Sequence, residues 1–182
     1  MEFRPTAIPD VVVVVPSVVG DDRGWFMETY QARRFADAGI TPVFVQDNHS
    51  QSRQGVLRGL HYQSRQPQGK LVRVLRGEVF DVAVDLRRSA PTFGRWVGMR
   101  LSGENRLQMW IPPGLAHGFY TLSESAEITY KCTDYYAPGH EHTLAWNDPA
   151  VGIEWPLLGG AAPVLSAKDS AGRSLADTWC YP

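Results

Sequence analysis

The run LVRVLRGEVFDVAVDL, Leu71 to Leu86, sets two valine-rich segments on either side of Arg76-Gly77-Glu78. Each segment is short and β-branched, as residues that fit a pleated surface are. A glycine between two such runs is a turn signal, so the stretch is predicted to be an antiparallel hairpin. Outward from it the same pattern repeats. Val56 to Tyr62 comes before; Trp96 to Leu101, Leu107 to Ile111, Gly118 to Leu122, Ala126 to Thr133 and Thr143 to Trp146 come after, divided by Gly, Pro, Asn or Ser clusters. That spacing predicts an antiparallel sandwich or barrel rather than βαβ units. Upstream, Val11 to Val15 reads as a strand stopped by Pro16, and GDDRGWFMETY as a turn leading into another extended run. QARRFADAG reads as one short helix closed by Gly39. From Leu165 the segment LSAKDSAGRSLADTW is weakly helical, with Ser166 placed to cap it.

Composition narrows the function. A chain of 182 residues suits one domain, expected to run over residues 1–182 and long enough to bury a core. With 18 basic against 19 acidic residues, the net charge of -1 supplies no broad field for nucleic acid or an anionic membrane. An anion must be held by a local cluster. Cys132 and Cys180 form no CxxC pair, so neither a disulfide framework nor a zinc knuckle is indicated, and idle thiols in a reducing compartment are expected. The start, MEFRPTAIPDVVVVVP, lacks a basic n-region and a cleavage site, and its valine run is too short to span a bilayer, so a cytoplasmic protein is expected. There is no P-loop, no GxGxxG after a strand and no GxSxG elbow.

The residues that carry chemistry are few. His61, in RGLHYQ, titrates near neutral pH and suits a general base, although a histidine satisfied by backbone is the bland alternative. Lys70 opens the next strand, where an ammonium reaches a developing oxyanion or simply sits solvated at a strand end. Tyr130 alternates with Ile128 and Cys132, which points its phenol to an apolar face where it packs or serves as an acid. Asp169 closes Ser166-Ala-Lys-Asp169, which also reads as a helix-capping pattern. Arg58 and His61 are three apart and a regular strand sends them to opposite faces; a bulge at Gly59 would bring both to one site. His140 and His142 flank Glu141 after Ala137-Pro138-Gly139, and an exposed polar turn accounts for them more simply than a metal site.

Taken together, DDRGWFMETY, QDNHSQSRQGVLRGLHYQ, QGKLVRVLRGEVFDVAVDLRRSAPTFGRW, LSGENRLQMWIPPGLAHGF, ITYKCTDYY, WNDP and LSAKD resemble, in order and over almost the whole chain, the dTDP-4-dehydrorhamnose 3,5-epimerase family. The resemblance implies a mainly β, cupin-type jelly-roll barrel with a few short peripheral helices, acting as a homodimer on a thymidine-diphosphate sugar with neither metal nor organic cofactor. It implies inversion at C3 and C5 beside a C4 ketone. His61 matches the family's base and Asp169 the carboxylate that supports it. Tyr130 matches the acid on the other side of the sugar, and Lys70 the group beside the keto oxygen. Gln46, Asn48, Arg58, His117, Glu141 and Lys168 match ligand contacts, and Tyr136 the ring that stacks on thymine. Arg23, Glu28 and, at the base, Phe26 match contacts on a segment that reaches into the partner subunit's site. Leu115, in PPGLAHGF, departs from the commoner aromatic and is expected to alter packing near His117.

Overall fold

A computed structural model describes residues 1–182. Its strands are β1 (Glu2–Pro5), β2 (Val12–Val15), β3 (Val18–Asp21), β4 (Gly24–Met27), β5 (Gln46–Arg53), β6 (Leu57–Gln63) and β7 (Lys70–Arg76). They continue with β8 (Glu78–Asp85), β9 (Trp96–Ser102), β10 (Gln108–Ile111), β11 (Leu115–Thr121), β12 (Ser125–Cys132) and β13 (Glu141–Thr143). Two short α-helices, α1 (Ala32–Asp37) and α2 (Ala167–Ser170), lie outside the sheets. No helix is long and apolar enough to cross a membrane.

One sheet has the order β1-β2-β10-β7-β12-β5 and the other β13-β6-β11-β8-β9, while β3 and β4 pair only with each other. Every paired strand is antiparallel. From β5 to β12 the chain passes back and forth between the sheets and stays in one only from β8 to β9. That alternation is the jelly roll. It corrects the reading of Leu71 to Leu86: both strands form, but β7 and β8 lie in opposite sheets and Gly77 turns a corner between them. A corner and a hairpin share the same local signal, and the choice is made by β12 and β10 beside β7 and by β11 and β9 beside β8. Gly77 is required there, since its φ is +75° and an added Cβ would stand 2.0 Å from the Ser125 carbonyl oxygen.

The core lies between the sheets, built from Val72 and Val74 of β7, Val79 and Ala83 of β8, Met109, Ile111, Leu115, Phe119 and Ile128. Alternate residues of β8 and β11 point the other way, into a second apolar layer where Val82, Val84 and Ala116 meet Leu144 and Val151. Because β8 is covered on both faces, it reads as a continuous apolar run. The helix α1 forms as expected, with Gln31 accepting the Arg34 N–H at its start, and buries Phe35 against Val14, Leu71 and Trp110 on the outside of the six-stranded sheet. Three strands have no counterpart in the sequence pattern: β1, β3 and β5, the last of which, QDNHSQSR, carries no apolar alternation although its exposure alternates strictly along the first six residues. The run expected at Thr143 to Trp146 is strand only at Thr143, since β13 begins at Glu141.

Candidate active site

At one end of the barrel the inner faces of the two sheets part around a cavity of about 370 Å³. The five-stranded sheet contributes Arg58, His61 and Gln63 from β6 and His117 from β11; the six-stranded sheet contributes Gln46 and Asn48 from β5, Lys70 from β7 and Tyr130 from β12. Arg58 and His61 do share this face. Between Phe119 and His117 the partner strand β6 advances from Arg58 to His61, one residue more than β11, so the bulge sits at Gly59. Its φ is +120°, and an added Cβ would meet Gly118 Cα at 2.5 Å.

His61 Nε2 lies 2.6 Å from Asp169 Oδ1. A carboxylate only accepts, so Nε2–H donates and Nδ1 is left as the nitrogen able to take a proton. Asp169 is 4 % exposed and held on three sides: Oδ2 accepts the Ser166 hydroxyl at 2.7 Å, and Oδ1 also faces the Gly59 N–H at 3.4 Å. The Ser166 oxygen in turn accepts the Asp169 N–H, so the cap of α2 and the support of His61 are one structure. Burial would raise the Asp169 carboxyl, but its bonds from His61 and Ser166 outweigh it and hold the group below the usual carboxylate range. Burial lowers the His61 imidazole, the Lys168 and Lys70 charges push the same way, and Asp169 opposes them; the net shift is downward. The His61 imidazole is therefore neutral at physiological pH.

Lys70 Nζ stands 3.5 Å from the His61 carbonyl oxygen, and burial lowers its ammonium from the ordinary value. Burial raises the Tyr130 phenol, with the Arg58 charge opposing. The phenol belongs to the sheet opposite His61. His117 is the register partner of His61 across β6 and β11, and its Nε2 lies 2.8 Å from Asp81 Oδ1. Asp81 is an addition to the residues expected from sequence; the available signal is an acidic residue in EVFDVAVD, since a carboxylate inside an apolar strand needs a partner. Leu115 is buried in the inter-sheet core and lines the cavity beside His117.

At the rim, Glu141 of β13 accepts from Tyr136 Oη at 3.0 Å and from Lys168 Nζ at 3.0 Å. Burial would raise the Glu141 carboxyl, but these two bonds prevail and lower it. Arg58 is fixed by Ser52 Oγ at 2.9 Å and the Gln51 carbonyl. Gln63 and Gln68, which no sequence pattern singles out, also face the cavity. The two histidines beside Glu141 do not: His142 stacks between Tyr62 and Trp179, and no group of three or more His, Cys, Asp or Glu side chains is arranged to hold a metal ion. Arg23, Phe26 and Glu28 are not at the cavity either. They belong to the β3–β4 hairpin and its exit, where Phe26 is 73 % exposed, Arg23 pairs with Asp21, and Glu28 stands 3.3 Å from Arg34.

The profile of the dTDP-4-dehydrorhamnose 3,5-epimerase family matches residues 5–177. A dTDP-4-dehydrorhamnose 3,5-epimerase of Pseudomonas aeruginosa is 63 % identical over the full length of both chains. Another, from Salmonella typhimurium, is 58 % identical over 91 % of each. The solved structure of a dTDP-6-deoxy-D-glucose-3,5-epimerase from Legionella pneumophila, in complex with dTDP-4-keto-L-rhamnose, superposes with a TM-score of 0.93 at 55 % identity, covering 97 % of this chain and 93 % of that one. The chain is an isomerase belonging to the dTDP-4-dehydrorhamnose 3,5-epimerase family.

Proposed function

We infer that this isomerase inverts C3 and C5 of dTDP-4-keto-6-deoxy-D-glucose to give dTDP-4-keto-L-rhamnose. The observation that carries the reading is the placement of a supported base, His61, and a phenol, Tyr130, on opposite walls of one cavity that also holds the Lys70 ammonium. The C4 ketone acidifies the hydrogens on both neighbouring carbons. His61 Nδ1 takes one of them, and Asp169 stabilises the imidazolium that results. The electron pair moves to the C4 oxygen, where Lys70 meets the enolate charge in a site of low dielectric. Tyr130 then gives its proton to the same carbon from the other face. After the imidazolium and the tyrosinate exchange with solvent, the same groups act at the second carbon.

Binding divides among the remaining residues. Arg58, held in a fixed fork by Ser52, suits the diphosphate. The Tyr136 ring suits the thymine, with Glu141, Lys168, Gln46, Asn48 and His117 contacting the rest of the ligand. We assign Arg23, Phe26 and Glu28 to the site of a second subunit, which makes a homodimer the working unit; the exposed hairpin that carries Arg23 and Phe26 supports this. Residues 1–182 act as one domain in this scheme. Two unpaired thiols suit a reducing compartment, and we place the enzyme in the cytoplasm.

Proton NMR of dTDP-4-keto-6-deoxy-D-glucose incubated with the protein in deuterated buffer tests the reading. Deuterium at C3 and C5, in a product that a downstream reductase converts to dTDP-L-rhamnose, is expected. Label at one carbon alone would make the protein a single-site epimerase, and label at neither would leave it a sugar-nucleotide-binding protein.

A further inference from the structure

Residues 134–137 have no regular secondary structure, yet they carry Tyr136 at the rim of the cavity. Glutamine side chains hold this loop by its backbone. Gln68 Nε2 donates to the Asp134 carbonyl at 2.8 Å, and Gln46 Oε1 accepts the Tyr136 N–H at 3.0 Å. Gln63 does the most: Oε1 accepts the Ala137 N–H at 2.8 Å, while Nε2 donates to the Tyr135 carbonyl at 3.2 Å and to the Gln66 carbonyl at 2.7 Å. Tyr136 is thus bracketed by two residues that one amide grips, one through its carbonyl and the other through its N–H.

Three further relations make Gln63 the centre of this arrangement. It is 4 % exposed, and both hydrogens of its amide are committed, so it has no donor left for a ligand. It lies two residues after His61 on the same strand and therefore on the same face. Its register partner across β6 and β13 is Glu141, which accepts from the Tyr136 hydroxyl. The ring is consequently fixed from its backbone by Gln63 and from its tip by the residue paired with Gln63. A loop that is already ordered before the ligand arrives spares the ordering entropy at binding.

We propose that Gln63 is a positioning residue for nucleotide recognition, holding the 134–137 loop so that the Tyr136 ring stands ready for the base. This rests on the assignment of Tyr136 as the base-stacking ring. A glutamine that merely satisfies loop backbone would leave nucleotide affinity unchanged.

The test is a double-mutant cycle read by calorimetric titration with dTDP, which needs no turnover, together with steady-state kinetics. Gln63→Met, close in shape and unable to make any of the three bonds, is expected to weaken dTDP binding about tenfold and to raise KM to match, with kcat within about twofold. In a Tyr136→Ala background the same substitution is expected to add nothing beyond about twofold. Unchanged dTDP affinity in folded Gln63→Met, or an equal loss in both backgrounds, would overturn the proposal. If Gln63→Met does not fold, Gln63→Glu, which keeps the shape and the acceptor for Ala137 but loses both donors, goes through the same cycle and is decided by the same outcomes. Tyr136→Ala binding dTDP as the wild type does would overturn the stacking assignment and the proposal with it. Weakened Tyr136→Ala beside normal Gln63→Met overturns the proposal alone.

Discussion

His61 Nε2 and Asp169 Oδ1 lie 2.6 Å apart although 108 residues separate them in the chain. One belongs to a bulged strand of the barrel and the other to a four-residue helix capped by Ser166, so two unrelated local structures converge on one hydrogen bond. Asp169→Asn keeps the shape but offers an amide donor to Nε2, which favours the tautomer with its proton on Nδ1 and removes the charge that steadies the imidazolium. Turnover is expected to fall about a hundred- to ten-thousandfold with the fold retained. Steady-state rates beside a circular dichroism melt check this, and a loss below about tenfold would show that Asp169 does not support the base.

The pH profile follows from the directions of the shifts. In the proposed mechanism His61 acts neutral, and its value is pulled below the ordinary 6.5, so kcat/KM should stay flat down through neutral pH and fall only below about 6.5. At the other end Tyr130 is pushed above its ordinary value and Lys70 is drawn below its own, so Lys70 is the group displaced toward losing its charge. The alkaline limb is therefore assigned to Lys70. Hydrogen exchange catalysed by Tyr130→Phe should keep that limb, and its disappearance in the variant would transfer the assignment to Tyr130.

In the proposed mechanism Tyr130→Phe is expected to separate the two halves of the reaction. His61 still removes the proton and, after exchange with solvent, returns a deuteron from the same face, so label should enter the recovered substrate while inversion falls about a hundredfold or more. Proton NMR in deuterated buffer distinguishes the labelled starting sugar from its epimers. A folded variant that exchanges nothing would mean that Tyr130 does not act as a separate acid.

How far the sequence reaches depends on whether the determinant is local. Strands β8 and β12 are legible because the valines of EVFDVAVD and the alternation of Ile128, Tyr130 and Cys132 are set by burial along one strand. Strand β5 is hidden because its inner residues, Gln46, Asn48 and Ser50, face a polar cavity and not a core. The corner at Gly77 reads as a hairpin because partner choice is made by strands far away in the chain. Asp169 takes part in two structures at once, the cap at Ser166 and the hydrogen bond to His61, which one local pattern cannot show together. The His117–Asp81 pair needed register, which no single strand contains.

Gly59 is the backbone position on which the site depends. Alanine there would have to adopt a φ of +120° and bring its Cβ to 2.5 Å from Gly118 Cα and 2.7 Å from the His117 carbonyl oxygen. Both contacts are backbone, so no side chain can swing away, and the cost is expected to be about 3 kcal/mol or more. Gly59→Ala should lower Tm by several degrees, in keeping with that order of cost. Activity should fall with it, since the bulge aims both Arg58 and His61. A Tm within a degree of the wild type would show that the strand relaxes around the added methyl.

The β3–β4 hairpin gives the test of the dimer. Its apolar side chains, Val19, Trp25 and Phe26, are exposed, and its strands pair with no other sheet. If it completes a partner's site, a variant crippled in the hairpin and a variant crippled in the cavity should repair each other. Arg23→Ala/Glu28→Ala and His61→Ala are each expected to be nearly inactive. Mixed in equal amounts after reversible dissociation, they should form hybrids in which one site has an intact cavity from the first protomer and an intact hairpin from the second. About a quarter of all sites are then whole, and activity should recover to about that fraction of wild type. A hairpin that serves its own cavity gives the opposite result, because every site in the mixture then keeps one lesion and the rate stays at the sum of the two variants.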